Sequence, residues 1–480
     1  MHLPQWLIFG FGLIYPLIEL IGIYAAGRAI MTSRTPQGSV AWAVSLVTMP
    51  LIALPLYVFA GRSKFEGYIS SRRKVDDRIE SRHPKLQCDL LPLSILPENL
   101  SASDFLEPVR QLAELPITGG NQAKLYVNGE RAFEEMFQAI EDAENYLLVF
   151  FFIVKDDALG LRFRDALMKK ARSGVNVYLA WDSVGSRRLP RNYMDKLTDA
   201  GVRVESFRST RVWNRFQLNF RNHRKILIAD GEVAFVGGMN IGDEYLGSHP
   251  KFGTWRDTHL RLKGPSVTSL QIVFLEDWHW MTGEIHDDWC WKPKMHRADF
   301  PVLIAPTAPV DPLDSAQLLF VAAAHSAREK LWIASPYFVP DVAMVAALQV
   351  AALRGVDVRI LLPDRPDHLL PYLSSFAYYP DMLDAGVKLY RYSEGFMHQK
   401  AMLIDDHIAS IGTANLDNRS FRLNFEIFAI VAAPEFVADV DKMLTLDFCQ
   451  SRQVELGEYS RRPFWFRAAC RLSRLMAPLQ

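Results

Sequence analysis

Cysteine is scarce in this chain, and the little there is does not pair. The four residues, Cys88, Cys290, Cys449 and Cys470, lie far apart and form no Cys-x-x-Cys unit. That excludes a disulfide framework and a zinc site of the usual spacing, and it fits a reduced compartment. Net charge is also lacking, because 54 Lys and Arg balance 54 Asp and Glu. A processive nucleic-acid binder is ordinarily basic, so this balance argues against that partner. No cluster of metal-ligating residues appears, so no metal is expected. No basic segment precedes the first apolar run, which argues against a cleaved signal peptide.

What is present is enough apolar material for a large core: 49% of 480 residues are hydrophobic and 22% charged. That length suits two domains, or one duplicated unit with an appendage. Residues 6–26 are apolar apart from Glu19, and residues 40–60 carry no charge. About 20 such residues cross a bilayer, so residues 1–62 read as two transmembrane helices. The join between them carries Arg28, Arg34, Pro36 and Gly38, and Pro16, Pro50 and Pro55 are tolerable as kinks. Denser basic charge follows at Arg62, Lys64, Arg72, Arg73 and Lys74, which places the rest of the chain in the cytoplasm. Glu19 is a functional candidate as an intramembrane carboxylate, or it pairs with a neighbour near a helix end. Residues 63–123 read as a short helix and an irregular linker packed on the body that follows.

The chemistry concentrates in residues 222–245, NHRKILIADGEVAFVGGMNIGDEY. This reads as a strand, a turn at Asp230 and Gly231, a second strand, then a glycine pair leading to Asn240. His223 and Lys225 are two apart, so in a strand they share a face, while Ile226 and Ile228 enter the core. An imidazole, an ammonium and a carboxamide converging on one point suit an anionic tetrahedral group. The pattern occurs twice. His398, Lys400 and Asp405 repeat the spacing of His223, Lys225 and Asp230. Gly412, Thr413, Ala414 and Asn415 then follow at the offset of Gly237, Gly238, Met239 and Asn240.

The duplication extends beyond the motifs. ENYLLVFFFIVK, beginning at Glu144, matches EKLWIASPYFVP, beginning at Glu329, and ARSGVNVYLAWD at Ala171 matches ALRGVDVRILLP at Ala352. Helix-sized periods alternating with short apolar strands indicate an α/β fold: two pseudo-symmetric repeats with mixed sheets, residues 124–300 and 301–480, packed face to face. Repeat one carries an insert at residues 208–221, RSTRVWNRFQLNFR. It is read either as a surface loop or as a lip at a membrane interface, with Trp213 and Phe216 toward acyl chains. In the tail, PFWFRAACRLSRLM, the residues Trp465, Ala468, Leu472 and Leu475 share one helical face and Arg467, Arg471 and Arg474 another. A basic amphipathic helix of this kind reads as interfacial, the alternative being a helix docked on the body.

The paired HxKxxxxD motifs, each followed by G-[GT]-x-N, resemble the phospholipase D superfamily. From about Lys124 onward the chain is similar, within that superfamily, to bacterial cardiolipin synthases of the long, membrane-anchored type. RNHRKILIADGEVAFVGGMNIGDEYLG, TWRDTHLRLKGP and the two-run N-terminus joined by RTPQGS carry the closer likeness. The resemblance implies that one histidine attacks phosphorus to form a phosphohistidine while the other protonates the departing alcohol. It favours His223 as nucleophile and His398 as acid and base. Lys225, Lys400, Asn240 and Asn415 would hold the phosphoryl charge, and Thr413 would add a hydroxyl. Asp230 and Asp405, counted with the catalytic motif, sit at strand-end turns and are expected to fix the turn and local charge. Asp257 and Glu426 are the better candidates for orienting the histidines. His249, His259, His279, His325 and His407 read as structural or surface residues. The implied partners are phosphatidylglycerol and other membrane phospholipids, with no nucleic acid, no cofactor and no metal, and a homo-oligomer is left open. The implied location is the bacterial inner membrane. The implied reaction joins two phosphatidylglycerol molecules into cardiolipin and glycerol. Rivals are a phospholipase D using water, a transferase using another alcohol, and a membrane-tethered nuclease.

Overall fold

The computed structural model describes residues 5–32, 36–61, 68, 90–207, 219–247, 253–286 and 288–480. The chain divides into two compact units, Met1–Tyr68 with Arg208–Phe220, and Ile69–Phe207 with Arg221–Gln480.

Among its described residues the first unit includes the helices Gln5–Thr32, Pro36–Thr48 and Pro50–Ala60. The second apolar run is therefore two helices of 13 and 11 residues. Met49 leaves helical geometry at φ −137° and ψ 57°, because the ring of Pro50 crowds the residue before it and offers no N–H. Among the described residues no helix is long and apolar enough to cross a membrane. The two expected spans are thus not found among the described residues, and the second run is interrupted. The helices pack through small residues, with Ala25, Ala26, Ala29, Leu46 and Ala53 buried between them. Gly22 lets two helices approach closely, since a Cβ there would come 2.5 Å from the carbonyl oxygen of Leu46. The outer surface is apolar, with Leu17, Leu20, Tyr24, Val40 and Leu56 all more than half exposed. Glu19 is exposed as well. The basic residues Arg62, Lys64, Arg72, Arg73 and Lys74 and residues 208–218 of the insert, Trp213 and Phe216 included, lie outside the described residues.

The second unit is a mixed α/β body around one 16-stranded sheet. Its seam is Ile117–Val127, which pairs antiparallel with Thr258–Lys263 through one half and with Phe300–Thr307 through the other. This strand reaches back into the segment read as linker. Outward from the seam, repeat one runs Thr258–Lys263, Val233–Gly237, Ile226–Ala229, Tyr146–Phe151, Asn176–Asp182 and Arg203–Phe207. Repeat two, after Phe300–Thr307, runs Asn424–Val431, Ile408–Gly412, Ala401–Ile404, Lys330–Ala334, Asp357–Pro363 and Lys388–Tyr392. The same strand order on both sides is the pseudo-two-fold that the repeats imply. The central strands are buried on both faces, which is why YLLVFF and AMLI read as unbroken apolar runs rather than alternating ones. Each half has its own core. Leu147, Val149, Phe163 and Leu227 belong to the first, and Leu331, Ile333, Leu348 and Ile404 to the second. Helix Ser103–Ala113, in the former linker, contributes Phe105, Leu106 and Val109 to the second core.

Asp230 and Asp405 take matching places at the far ends of the two motif strands. Both adopt left-handed backbone geometry, φ 52° and 49°. The Asp230 carboxylate accepts the backbone N–H groups of Glu144, Asn145 and Tyr146, each at 2.8 Å. Asp405 accepts those of Arg328, Glu329 and Lys330. Each thereby pins the start of the neighbouring strand. Asp405→Ala would strand three amides, an expected loss of about 2–4 kcal/mol. Thermal unfolding should report that loss, while turnover per folded molecule should stay near the parent value.

Candidate active site

The strand of repeat one begins at Ile226, so His223 and Lys225 lie on the arm just before it rather than within it. That arm does not pair inside its own repeat. Arg221–Asn222 runs parallel to Asn424–Phe425, and the His223 N–H donates to the Phe425 carbonyl at 2.9 Å. The arm of repeat two does the reciprocal thing. Phe396–Met397 runs parallel to Trp255–Arg256, and the His398 N–H donates to the Arg256 carbonyl at 2.7 Å. In both cases the next residue along the partner strand is an acid.

The acids therefore serve the opposite repeat's histidine. His223 Nδ1 lies 2.9 Å from Glu426 Oε2 and 3.1 Å from Oε1. His398 Nδ1 lies 2.7 Å from Asp257 Oδ2. A carboxylate on Nδ1 favours the Nδ1–H tautomer, which leaves the Nε2 lone pair of His223 available, while at His398 Lys400 Nζ stands 2.8 Å from Nδ1 and 2.9 Å from Nε2. Burial pushes His223 down to about 4, against the opposing pull of Glu426, so it is neutral at pH 7. His398 is lowered too, by burial and by Lys400, with Asp257 acting the other way.

The two carboxylates are held differently. Glu426 accepts from the Thr413 hydroxyl at 2.6 Å, the Ser420 hydroxyl at 2.9 Å and the Asn424 amide at 3.0 Å. Burial would raise its pKa, but His223, Lys225 and Thr413 together keep it lowered and ionised. Asp257 has the backbone N–H of Thr258 at 2.8 Å on its other oxygen. Gly238 occupies the place of Thr413 in repeat one, and a Cβ there would come 2.1 Å from Asp257 Oδ1. Thr413 thus acts on the carboxylate. Where a phosphoryl contact was expected, its hydroxyl is committed within the protein, donating to Glu426 and accepting the Ile427 N–H at 2.9 Å.

Both lysines are buried beside their histidines. Lys225 Nζ donates to the His223 carbonyl at 2.5 Å, and Lys400 Nζ lies 2.9 Å from His398 Nε2. Burial holds Lys225 well below its ordinary pKa and Lys400 at about 8. An arriving phosphodiester would raise both values, because it adds an anion beside each lysine. Asn240 is committed within the protein: its Oδ1 accepts from Ile153 N–H at 3.0 Å and its amide donates to the Tyr245 hydroxyl at 2.7 Å. Asn415 is the freer carboxamide, and its buried Oδ1 has no hydrogen-bond partner. Among the described residues no group of three or more His, Cys, Asp or Glu could hold a metal ion.

A family model described as "Cardiolipin synthase, PLD-like domain" matches residues 136–251 and 320–447, one match on each repeat. The curated protein named cardiolipin synthase A of Pseudomonas fluorescens is 42% identical over 476 residues, 98% of each chain. That of Pseudomonas putida is 42% identical over 486 residues, covering all of both. The chain belongs to the cardiolipin synthase family of PLD-like proteins. The phosphatidylserine synthase structure from Haemophilus influenzae matches with a TM-score of 0.59 at 16% identity, covering 78% of this chain and 99% of that one. At that identity the likeness speaks for the PLD-like fold.

Several residues of the site escaped the sequence reading. Arg224, between His223 and Lys225, is fully buried and grips Asp277 through Nη1 at 3.0 Å to both oxygens. Asn222 donates to the same carboxylate at 2.8 Å, and Asp182 accepts the Asn222 N–H at 3.0 Å. These bonds hold the His223 arm from behind. Nothing in local spacing marks Asp182 or Asp277, which arrive from 40 and 55 residues away. Phe152 packs edge-on to His223, ring centroids 4.8 Å apart. Its counterpart in the repeat, Tyr337, instead donates a 2.5 Å hydrogen bond to Asp367. The Asp367 charge acts on both His398 and Lys400, favouring their protonated forms.

His259 shows what an unused buried imidazole costs. It is fully buried, neither ring nitrogen has a partner, and burial drives its pKa down to about 3. Repeat two has Phe428 at the matching place. An unfolded histidine takes up a proton near pH 6.5 while folded His259 stays neutral, so its penalty grows as pH falls between those values. His259→Phe should therefore gain roughly 2 kcal/mol at pH 5 relative to its effect at pH 8. Melting curves of both proteins at the two pH values give the comparison.

Proposed function

We propose that the chain transfers a phosphatidyl group between two phosphatidylglycerol molecules, giving cardiolipin and glycerol through a phosphohistidine. The observation that carries this reading is the crossed pair of histidine–carboxylate contacts, each beside a buried lysine. Likeness to cardiolipin synthase A over the whole chain, N-terminal helices included, supports the lipid substrate. His223, locked by a carboxylate with three side-chain donors, is the nucleophile. Its Nε2 attacks phosphorus, and the N–P bond forms as the P–O bond to the headgroup glycerol breaks. His398 supplies the proton to the leaving oxygen; the substrate's negative charge, with Asp257 and Asp367, favours the imidazolium that this needs. Neutral His398 then takes the proton from a glycerol hydroxyl of the second lipid. That oxygen attacks phosphorus, the N–P bond breaks, and His223 is restored. Lys225, Lys400 and Asn415 offset the phosphoryl charge throughout.

The N-terminal helices 1–62, with their apolar outer surface, would anchor the chain in the bacterial inner membrane with the body on the cytoplasmic side. Residues 63–123 would pack against that body, and residues 124–300 and 301–480 would form the two catalytic repeats. The test is a thin-layer assay of purified protein in phosphatidylglycerol vesicles. Cardiolipin with stoichiometric glycerol is expected. Phosphatidic acid in its place would make water the acceptor and the enzyme a phospholipase D. An unchanged lipid pool beside a cut oligonucleotide would overturn the lipid reading.

A further inference from the structure

Repeat two carries two helices that the pseudo-symmetry does not require. In repeat one, the connection after Asn176–Asp182 leads directly to helix Arg191–Asp199. In repeat two, the corresponding connection after Asp357–Pro363 contains an additional helix, Leu369–Phe376. Against it lies the tail helix Phe464–Arg474. The tail helix docks through its inner side: Phe466 packs edge-on to Phe376 at 5.2 Å, Cys470 is buried, and Ser473 Oγ donates to the Leu370 carbonyl at 2.8 Å. The two interfacial and docking readings of this helix are thus compatible, because its other side is left open.

That open side is apolar. Phe464, Trp465, Leu472 and Leu475 are 65–77% exposed, and Leu369 and Leu370 on the neighbouring helix are 63% and 52% exposed. One exposed leucine is ordinary, but a set of this size on two touching helices is a surface built for contact. Its charge selects the partner. From residue 463 to the end the chain contains no Asp or Glu, yet it holds Arg467, Arg471 and Arg474, and Arg471 is exposed. Arg365, exposed, borders the other helix, where the neighbouring Asp364 and Asp367 are engaged by Arg391 and Tyr337. Apolar side chains rimmed by cations fit a layer of anionic headgroups over acyl chains. The position fits as well. Leu369 is two residues from Asp367, whose carboxylate acts on His398 and Lys400.

We propose that the paired helices Leu369–Phe376 and Phe464–Arg474 form a ledge that rests on an anionic bilayer surface and sets the catalytic site at headgroup depth. The inference rests on the lipid-substrate reading for its purpose, though the contact itself can be tested without turnover. The full-length chain would carry Leu472→Cys in a background with Cys88, Cys290 and Cys449 replaced by serine, labelled with a fluorophore and reconstituted in phosphatidylglycerol vesicles. A spin label on the lipid should quench the fluorophore strongly, and aqueous iodide should not. Quenching by iodide alone would overturn the ledge. Protection from both quenchers would overturn it too, since another polypeptide surface would then cover the patch.

A second measurement uses Leu472→Asp with Leu475→Asp, two exposed positions outside the site. Transfer from vesicle-borne phosphatidylglycerol should fall at least tenfold, while transfer from a short-chain, monodisperse phosphatidylglycerol should stay within twofold. Equal loss on both substrates, or on neither, speaks against the ledge. A parent protein inactive on both substrates would refute the proposed reaction, and the quenching result would still decide the ledge.

Discussion

His223→Ala should abolish phosphatidyl transfer, by at least about 10⁴-fold, and remove the covalent intermediate altogether. His398→Ala should lose a comparable amount on phosphatidylglycerol, but for a different reason. Its nucleophile is intact and only the proton for the leaving glycerol is missing. A phosphatidyl ester of p-nitrophenol separates the two, because nitrophenolate departs without a proton. With that substrate His398→Ala should release one equivalent of nitrophenol and accumulate an acid-labile adduct on His223, visible by mass spectrometry. His223→Ala should release none. An adduct on His398 in the His223→Ala protein would reverse the order of the two roles.

The crossed carboxylates come next in size. Glu426→Gln keeps the volume but offers an amide donor to His223 Nδ1, which already carries the proton. The imidazole is then driven to the other tautomer, with hydrogen on Nε2 where the lone pair is needed. A loss on the order of 10³- to 10⁴-fold is expected. Asp257→Asn should cost less and should change the pH profile. Asp257 raises the pKa of His398, so its removal lowers that value. The general acid then loses its proton at a lower pH, and the alkaline fall in rate should move toward acid. The acid limb, set by a His223 that stays neutral down to about 4, should stay in place. A rate profile from pH 4 to pH 9 for both proteins makes the comparison. An unshifted alkaline limb would remove Asp257 from the acid's environment.

Much of this site was legible because the duplicated motif is local. His223, Lys225, His398 and Lys400 stand within a few residues of one another in each copy, and the apolar strands behind them are unmistakable runs. What could not be read locally was which acid serves which histidine. Asp257 and Glu426 each follow their own repeat's motif in sequence, yet each reaches the other repeat's ring, because the histidine arms pair across the two-fold. Thr413 was misjudged for a related reason. A hydroxyl after a glycine looks available for phosphate, but the strand that carries Glu426 passes directly over it. The second apolar run divides at one dipeptide, Met49–Pro50, where composition is still fully apolar while backbone geometry is not. Arg224 lay in plain view between two motif residues. Its partner Asp277 arrives on the distant helix Ser266–Thr282.

The cross-pairing of the histidine arms has a consequence for how such a chain can arise and be divided. A single repeat, however well folded, holds a histidine without its carboxylate and a carboxylate without its histidine. An ancestor of one repeat could have worked only as a symmetric dimer, with activity dependent on the square of its concentration at dilution. Fusion into one polypeptide removes that dependence. It also frees the halves to differ, as Gly238 and Thr413, Asp257 and Glu426, and Phe152 and Tyr337 do at matching places. Two chemically identical histidines thereby acquire different surroundings, which a strict dimer could never give them.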